Sequence, residues 1–137
     1  MITQKSLNEL TYKIIGYAIE VHKELGPGLL ESVYEACMAH ILQQNGHSVK
    51  RQQIVPIIFR GIQLDSELRF DLMVDDLIIV ELKSVDALAP IFDAKLLTYM
   101  RFMEKPKGIL INFNCVNIFK EGQKTLVNNL YALLPKE

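Results

Sequence analysis

The apolar residues of this 137-residue chain change their spacing near Gly46, and that change limits what the chain can fold into. Before Gly46 they recur every three or four positions, as on a helix with one buried face. From Val49 they follow the two-residue alternation of strands, and helical spacing returns after Pro90. Helices before and after a set of strands predict an α/β fold in which helices cover a central sheet.

Three helices are predicted, and each has a start or stop signal. A capping box at Ser6 and Glu9 begins the first helix, and Gly26-Pro27-Gly28 separates it from the second. Pro90 suits the first turn of the third helix. The expected ranges are about 6–24, 30–46 and 90–103.

The expected strands occupy the middle of the chain and a segment near its end. Arg60-Gly61 predicts a hairpin turn, and Pro56 marks an edge or a bulge in the strand before it. The tail from about 120 to 134 fits either a strand near 124–127 or a helix, and both interpretations stay open. The other expected strands are about 49–59, 62–64, 67–74, 77–84 and 107–113.

Composition excludes some classes of function. The net charge of −1 and the pI near 6.3 are not those of a protein that coats nucleic acid through general positive charge. No apolar run approaches the roughly 18 residues that span a bilayer, and the first residues lack a secretory signal, so we expect a cytoplasmic protein without membrane contact. Cys37 and Cys115 lack metal-ligand spacing and are expected to be ordinary thiols. We expect residues 1–137 to form one domain.

The two strands around Asp75-Asp76 carry the chemically specific pattern. Alternate residues from 70 to 74 and from 78 to 82 are apolar. Placing both apolar sets on one face requires a three-residue connection, and the opposite face then carries Asp71, Glu81 and Lys83. The expected cross-strand pairs are Val74 with Ile78, Leu72 with Val80, Phe70 with Leu82, and Asp71 with Glu81.

Two carboxylates directly opposite each other repel unless a positive charge lies between them. A divalent cation that prefers oxygen ligands, Mg²⁺ or Mn²⁺, suits Asp71 and Glu81. Lys83 stands about 7 Å farther along the same face, where it could reach a metal-bound water or a phosphate. The alternative is a solvated salt bridge among these side chains, which helices covering the sheet would disfavour.

Two helices bring further candidates to this cluster. Glu31 and Glu35 share one face of the second helix, directly after the glycine-containing turn. Glu31 is expected to face Asp71 and Glu81, with stabilisation of the helix N-terminus as the alternative. Lys95 lies within an apolar stripe of the third helix and is expected to pair with one of these carboxylates, or else to extend its amine to solvent.

Several short motifs follow one another in order along the chain. Residues 28–34 read Gly28-Leu-Leu-Glu31-Ser-Val-Tyr34, and Asp71 is followed ten residues later by Glu81-Leu82-Lys83. The segment 21–28 leads into the first motif, and Leu96-Leu97-Thr98-Tyr99 follows the second. In this order and spacing they resemble the small bacterial and archaeal GxxExxY proteins, a branch of the PD-(D/E)xK nuclease superfamily. The resemblance extends from about Ser6 to Val127.

This resemblance implies a restriction-endonuclease-like α/β core, with a central mixed sheet flanked by helices. It implies Mg²⁺ or Mn²⁺ held by Asp71 and Glu81 with the main-chain carbonyl of Leu82. Lys83 would position or activate the attacking water, and Glu31 would bind or orient a second cation or a water. The implied activity is hydrolysis of nucleic-acid phosphodiester bonds, with DNA expected as partner in preference to RNA.

The sequence departs from the family's pattern on the third helix. Lys95 stands where the family usually has Gln, and Phe92 stands where it often has His. Lys95 is thus a further catalytic candidate, because a second lysine would assist phosphate binding or compete with the cation. Two alternatives stay open: a non-catalytic module that binds nucleic acid or a partner protein on the same fold, and a homodimer that binds a duplex.

Overall fold

The computed structural model describes residues 1–137 and contains five helices and seven strands. The helices are α1 (Gln4–Leu25), α2 (Glu31–Gln44), α3 (Pro90–Met103), α4 (Ile118–Glu121) and α5 (Asn129–Ala132). The strands are β1 (Val49–Ile54), β2 (Ile57–Phe59), β3 (Ile62–Leu64), β4 (Arg69–Val74), β5 (Ile78–Lys83), β6 (Lys107–Asn112) and β7 (Gln123–Val127). None of the five helices combines the length and the apolar composition that a bilayer span requires.

Most differences from the predicted elements lie at their ends. Thr3 rather than Ser6 caps α1, because the Thr3 hydroxyl accepts from the Ser6 amide and the Ser6 hydroxyl accepts from the Thr3 amide. The predicted strand 49–59 is interrupted at Val55-Pro56, where proline cannot donate to a ladder. In the tail, the strand interpretation is confirmed by β7, and the helix interpretation holds only for the four residues of α5.

Five strands form one mixed sheet in the order β1-β4-β5-β6-β7. The strands β5 and β6 are parallel, and α3 provides the crossover between them, whereas the other neighbours are antiparallel. The strands β2 and β3 pair only with each other. The predicted central mixed sheet flanked by helices is confirmed.

Helices cover the two faces of this sheet and form two separate cores. The helices α1 and α2 pack on one face, which includes Leu72 and Val80. The helix α3 packs on the other face, which includes Met73 and Ile79. It lies close to β6, since a Cβ added to Gly108 would stand 2.8 Å from side-chain atoms of α3. The face under α3 carries the site described below.

The predicted connection between β4 and β5 is confirmed. Val74 pairs with Ile78 and Leu72 with Val80, so three residues join the strands. Asp75 and Asp76 both have a positive φ, of 52° and 58°, a conformation that aspartate tolerates better than most residues. The buried apolar face therefore sets the register, as the alternation indicates.

Candidate functional site

The strands β4 and β5 separate beyond Leu72 and Val80, and two carboxylates fill the opening. The ladder does not include the predicted pairs of Asp71 with Glu81 and of Phe70 with Leu82. Instead, the Leu82 amide donates to Asp71 Oδ2 at 2.8 Å, and the Asp71 amide donates to Glu81 Oε1 at 3.2 Å. Asp71 and Glu81 are thus neighbours. The amides of Asp71 and Leu82 donate to side-chain oxygens of this pair in place of the main-chain carbonyl oxygens that accept in a regular sheet.

Phe70 also leaves the face predicted for it. It is buried with Met73 and Ile79 under α3, whereas Leu72 faces α1 and α2. Across from Asp71, between the paired residues of β1 and β4, Gln52 has a φ of 49°, which is rare for a side-chain-bearing residue in a strand. The regular alternation of faces is therefore lost beside the site. No apolar pattern in the sequence indicates this loss.

Glu81 is buried, with 7% of its surface exposed. Burial first, and then the neighbouring charge of Asp71, raise the pKa of Glu81 from 4.5 to about 9. Lys83 acts in the opposite direction but does not cancel these effects. Neither carboxylate takes part in a salt bridge, so the alternative of a solvated ion pair is wrong. In the absence of a cation, Glu81 holds a proton at neutral pH.

Lys83 and Tyr99 lie beside the two carboxylates on the α3 side. The half-buried Lys83 has its Nζ 4.5 Å from the ring centroid of Phe92. Tyr99 is buried, and its burial, followed by the charges of Glu81 and Asp71, raises its pKa to about 12. The phenol is therefore a hydrogen-bond donor and not an anion at neutral pH.

Lys95 is exposed and makes no salt bridge, so the predicted ion pair with a carboxylate is wrong. Its Nζ lies 5.9 Å from the ring centroid of Tyr99. The neighbouring Leu96 takes the buried position on α3, which turns Lys95 outward. The alternative of an amine extended to solvent describes Lys95 better.

Glu31 is the first residue of α2 and is exposed. It lines a cavity of about 350 Å³ with Ser84 and Asn114, near the end of β5, and forms no salt bridge. No three His, Cys, Asp or Glu side chains lie close enough together to hold a metal ion, so Glu31 does not complete a three-carboxylate cluster with Asp71 and Glu81. A role for Glu31 in binding a cation or a water stays a prediction.

Hydrogen bonds of the Tyr34 side chain hold the turn before Glu31 in place. The Tyr34 hydroxyl accepts from the Leu29 amide at 3.1 Å and donates to the Gly26 carbonyl at 2.6 Å. Its ring stacks on Phe113 with centroids 4.2 Å apart. The Ser84 hydroxyl donates to the Leu29 carbonyl at 2.7 Å, which attaches the turn to the end of β5. The tyrosine of the motif thus helps to hold its glutamate beside that strand end.

Gln52, beside Asp71, was not predicted for the site, and Glu35 was predicted only to share a helix face with Glu31. Gln52 Nε2 donates to Asp71 Oδ1 at 3.0 Å and also to Glu35 Oε1. Glu35, on α2, is 8% exposed and accepts from two nitrogens of Arg51. The helical spacing of Glu35 from Glu31 was a signal for its position, whereas nothing in the sequence distinguishes Gln52.

Asp71 and Glu81 together could hold a divalent cation. Carboxylate oxygens are the ligands that Mg²⁺ and Mn²⁺ prefer, with water completing the coordination. The pair lacks a positive partner, because neither carboxylate forms a salt bridge, and burial together with the charge of Asp71 makes Glu81 retain a proton well above its usual pKa. A cation in place of that proton would offset the same repulsion, so the donor set fits the metal that the sequence predicts.

The comparison with known families agrees with this geometry. A family model described as the PD-(D/E)XK nuclease superfamily matches residues 8–125, a range that includes Glu31, Asp71, Glu81 and Lys83. A search of curated proteins and a search of solved structures each gave no match. Because the match extends over most of the chain, the chain belongs to the PD-(D/E)XK nuclease superfamily.

Proposed function

We propose that the protein hydrolyses phosphodiester bonds of nucleic acid, with Mg²⁺ or Mn²⁺ held by Asp71 and Glu81. The observation that carries the proposal is the pair of carboxylates in the opening between β4 and β5, with Lys83 near them. Burying the Glu81 carboxyl group beside a second carboxylate, with no salt bridge to either, costs free energy, and the fold gains nothing from it unless the pair binds something. The order of the short motifs further supports membership of the GxxExxY branch.

Each site residue has a proposed role. When bound, the cation polarises a phosphate oxygen and offsets the negative charge of the transition state. Asp71 and Glu81 bind it, which requires Glu81 to release its proton, and the Leu82 carbonyl is the proposed third protein ligand. Lys83 positions the attacking water and stabilises developing charge.

Glu31 and Lys95 have more distant roles in this proposal. Glu31, in the cavity that it lines with Ser84 beyond the end of β5, binds or orients a second cation or a water. Lys95, exposed above Tyr99, attracts the phosphate backbone without touching the carboxylates. DNA is the expected substrate in preference to RNA, residues 1–137 are expected to act as one domain, and a homodimer is the expected form on a duplex.

The test compares cleavage, cation binding and stability in three variants. Asp71→Asn is expected to abolish magnesium-dependent cleavage and to stay folded in chelator with a somewhat lower melting temperature, because asparagine keeps only one of the two oxygens that accept from Gln52 and Leu82. Lys83→Ala should lose about 10² to 10⁴-fold in cleavage rate, the range for a positioned catalytic group, and still bind Mn²⁺. Asp65→Asn is the matched control, because Asp65 is an exposed carboxylate between β3 and β4, and it should change none of the three properties.

Two results would contradict the proposal. If wild type binds Mn²⁺ but cleaves no single-stranded, duplex or branched DNA or RNA, the non-catalytic binding module becomes the better description. If Asp71→Asn unfolds in chelator, the carboxylate pair is structural and the proposed site is wrong.

A further inference from the structure

We infer, on the basis of the proposed cation site, that Gln52 is a positioning residue: it sets the orientation of the Asp71 carboxylate and links it to the buried Glu35 of α2. No motif in the sequence includes Gln52. Its contacts, its backbone conformation and its lack of charge each support this role.

The contacts of Gln52 fix Asp71 from the side opposite β5. The Gln52 amide donates to Asp71 Oδ1, and the Leu82 amide donates to Asp71 Oδ2, so each carboxylate oxygen has one fixed donor. A carboxylate oxygen has two lone pairs, so each still has one available for a cation. The carboxylate plane is therefore set before any cation arrives.

The backbone of Gln52 is held in a costly conformation. Its φ of 49° lies in the left-handed region, although the residues on either side of it pair regularly with β4. The Arg69 side chain donates to the Gln52 carbonyl at 2.9 Å and so holds the unusual peptide in place. A strained residue persists when its surroundings favour it, and such residues cluster at functional sites. Here the strained backbone places the side-chain nitrogen of Gln52 between the carboxylates of Glu35 and Asp71.

The neutrality of the Gln52 amide matters because Asp71 has to remain negative to bind a cation. A lysine or arginine between Glu35 and Asp71 would neutralise Asp71 and compete for it. The amide orients Asp71 without offsetting its charge, while Arg51 balances the charge of Glu35 separately. Gln52 thus separates the positive charge of Arg51 from the carboxylate that is needed for the cation.

The experiment measures Mn²⁺ affinity by titration of the full chain. Gln52→Ala and Gln52→Gly are each expected to weaken Mn²⁺ binding by about 10 to 100-fold, as observed when residues that orient metal ligands are lost. Glycine adopts a positive φ without strain, so Gln52→Gly should melt at or above the temperature of Gln52→Ala while binding Mn²⁺ as weakly. Gln53→Ala is the control, since Gln53 follows on the same strand, is exposed and makes no side-chain hydrogen bond; its affinity should equal that of wild type.

Different results separate this inference from the proposed function. If wild type binds Mn²⁺ and both Gln52 variants bind it equally well, the positioning role is wrong and the cation site stands. If wild type binds no Mn²⁺, both the cation site and the role of Gln52 fall. If Gln52→Ala does not fold, the folded Gln52→Gly variant decides the matter by its affinity alone.

Discussion

Replacing Glu81 by glutamine removes a titratable proton from the opening between β4 and β5 and keeps the size of the side chain. The amide oxygen of the new side chain can still accept from the Asp71 amide, so the contact at 3.2 Å need not be lost. What disappears is the carboxyl group whose pKa burial and Asp71 raise to about 9. The Glu81→Gln variant therefore isolates the effect of that proton on stability.

The effect has a defined sign. Between pH 4.5 and about 9 the folded chain retains a proton on Glu81 that the unfolded chain has released. The free energy of unfolding of wild type consequently falls as the pH rises through this window, and the loss is complete above about pH 9. Each pH unit costs at most about 1.4 kcal/mol, so wild type loses up to about 3 kcal/mol between about pH 5 and pH 7.5 that Glu81→Gln retains.

Urea unfolding in chelator at several pH values measures this difference. The quantity to follow is the free energy of unfolding of Glu81→Gln minus that of wild type, because groups far from Glu81 contribute to both and cancel. It should increase steadily from about pH 5 to pH 8, whereas the same difference for the control Gln53→Ala, which removes no titratable group, should stay flat. A flat difference for Glu81→Gln would refute the protonated, buried carboxyl and the charge deficit inferred from it.

Two further predictions concern side chains around the site. Tyr34→Phe should lower the free energy of unfolding by about 1 to 3 kcal/mol, because the Gly26 carbonyl and the Leu29 amide lose their partner while the ring still stacks on Phe113; thermal melts measure it. Lys95→Met should leave Mn²⁺ affinity unchanged but reduce the salt dependence of DNA binding by about one unit of slope, measured by anisotropy titrations, since an exposed lysine contributes through phosphate contacts. Tighter Mn²⁺ binding by Lys95→Met would return Lys95 to the cation site, because an ammonium group there would compete with the cation for the carboxylates.

The register of the sheet could be predicted from sequence because a one-residue slip would exchange its two faces. Alternation from Leu72 to Val74 and from Ile78 to Val80 is therefore enough to bring Asp71 near Glu81. The same argument failed at Phe70, because a strained residue on the neighbouring strand interrupts the regular geometry. The left-handed backbone conformation of Gln52 could not be predicted, because it does not change the spacing of apolar residues in the sequence.

The surroundings of Glu31 and Lys95 could not be predicted for a different reason. Helical spacing tells which side chains share a face of a helix, but it does not tell which face of the sheet the helix covers. The helix α2 packs opposite α3, and Glu31 at its first turn lies beside Ser84 at the end of β5. On α3, Lys95 is next to the buried Leu96, and spacing alone does not distinguish the inward residue from its outward neighbour.

The hydrogen bonds across the opening between β4 and β5 make the backbone there sensitive to protonation and to cation binding. Elsewhere in the sheet, amides donate to carbonyl oxygens, which no proton or ion converts into something else. The Leu82 amide donates instead to the Asp71 carboxylate and the Asp71 amide to the Glu81 carboxyl group, and both acceptors change in strength when a cation takes the place of the Glu81 proton. The rate at which these two amide hydrogens exchange with solvent will consequently change when a cation binds. Hydrogen exchange at two backbone positions would thus measure the occupancy of the site.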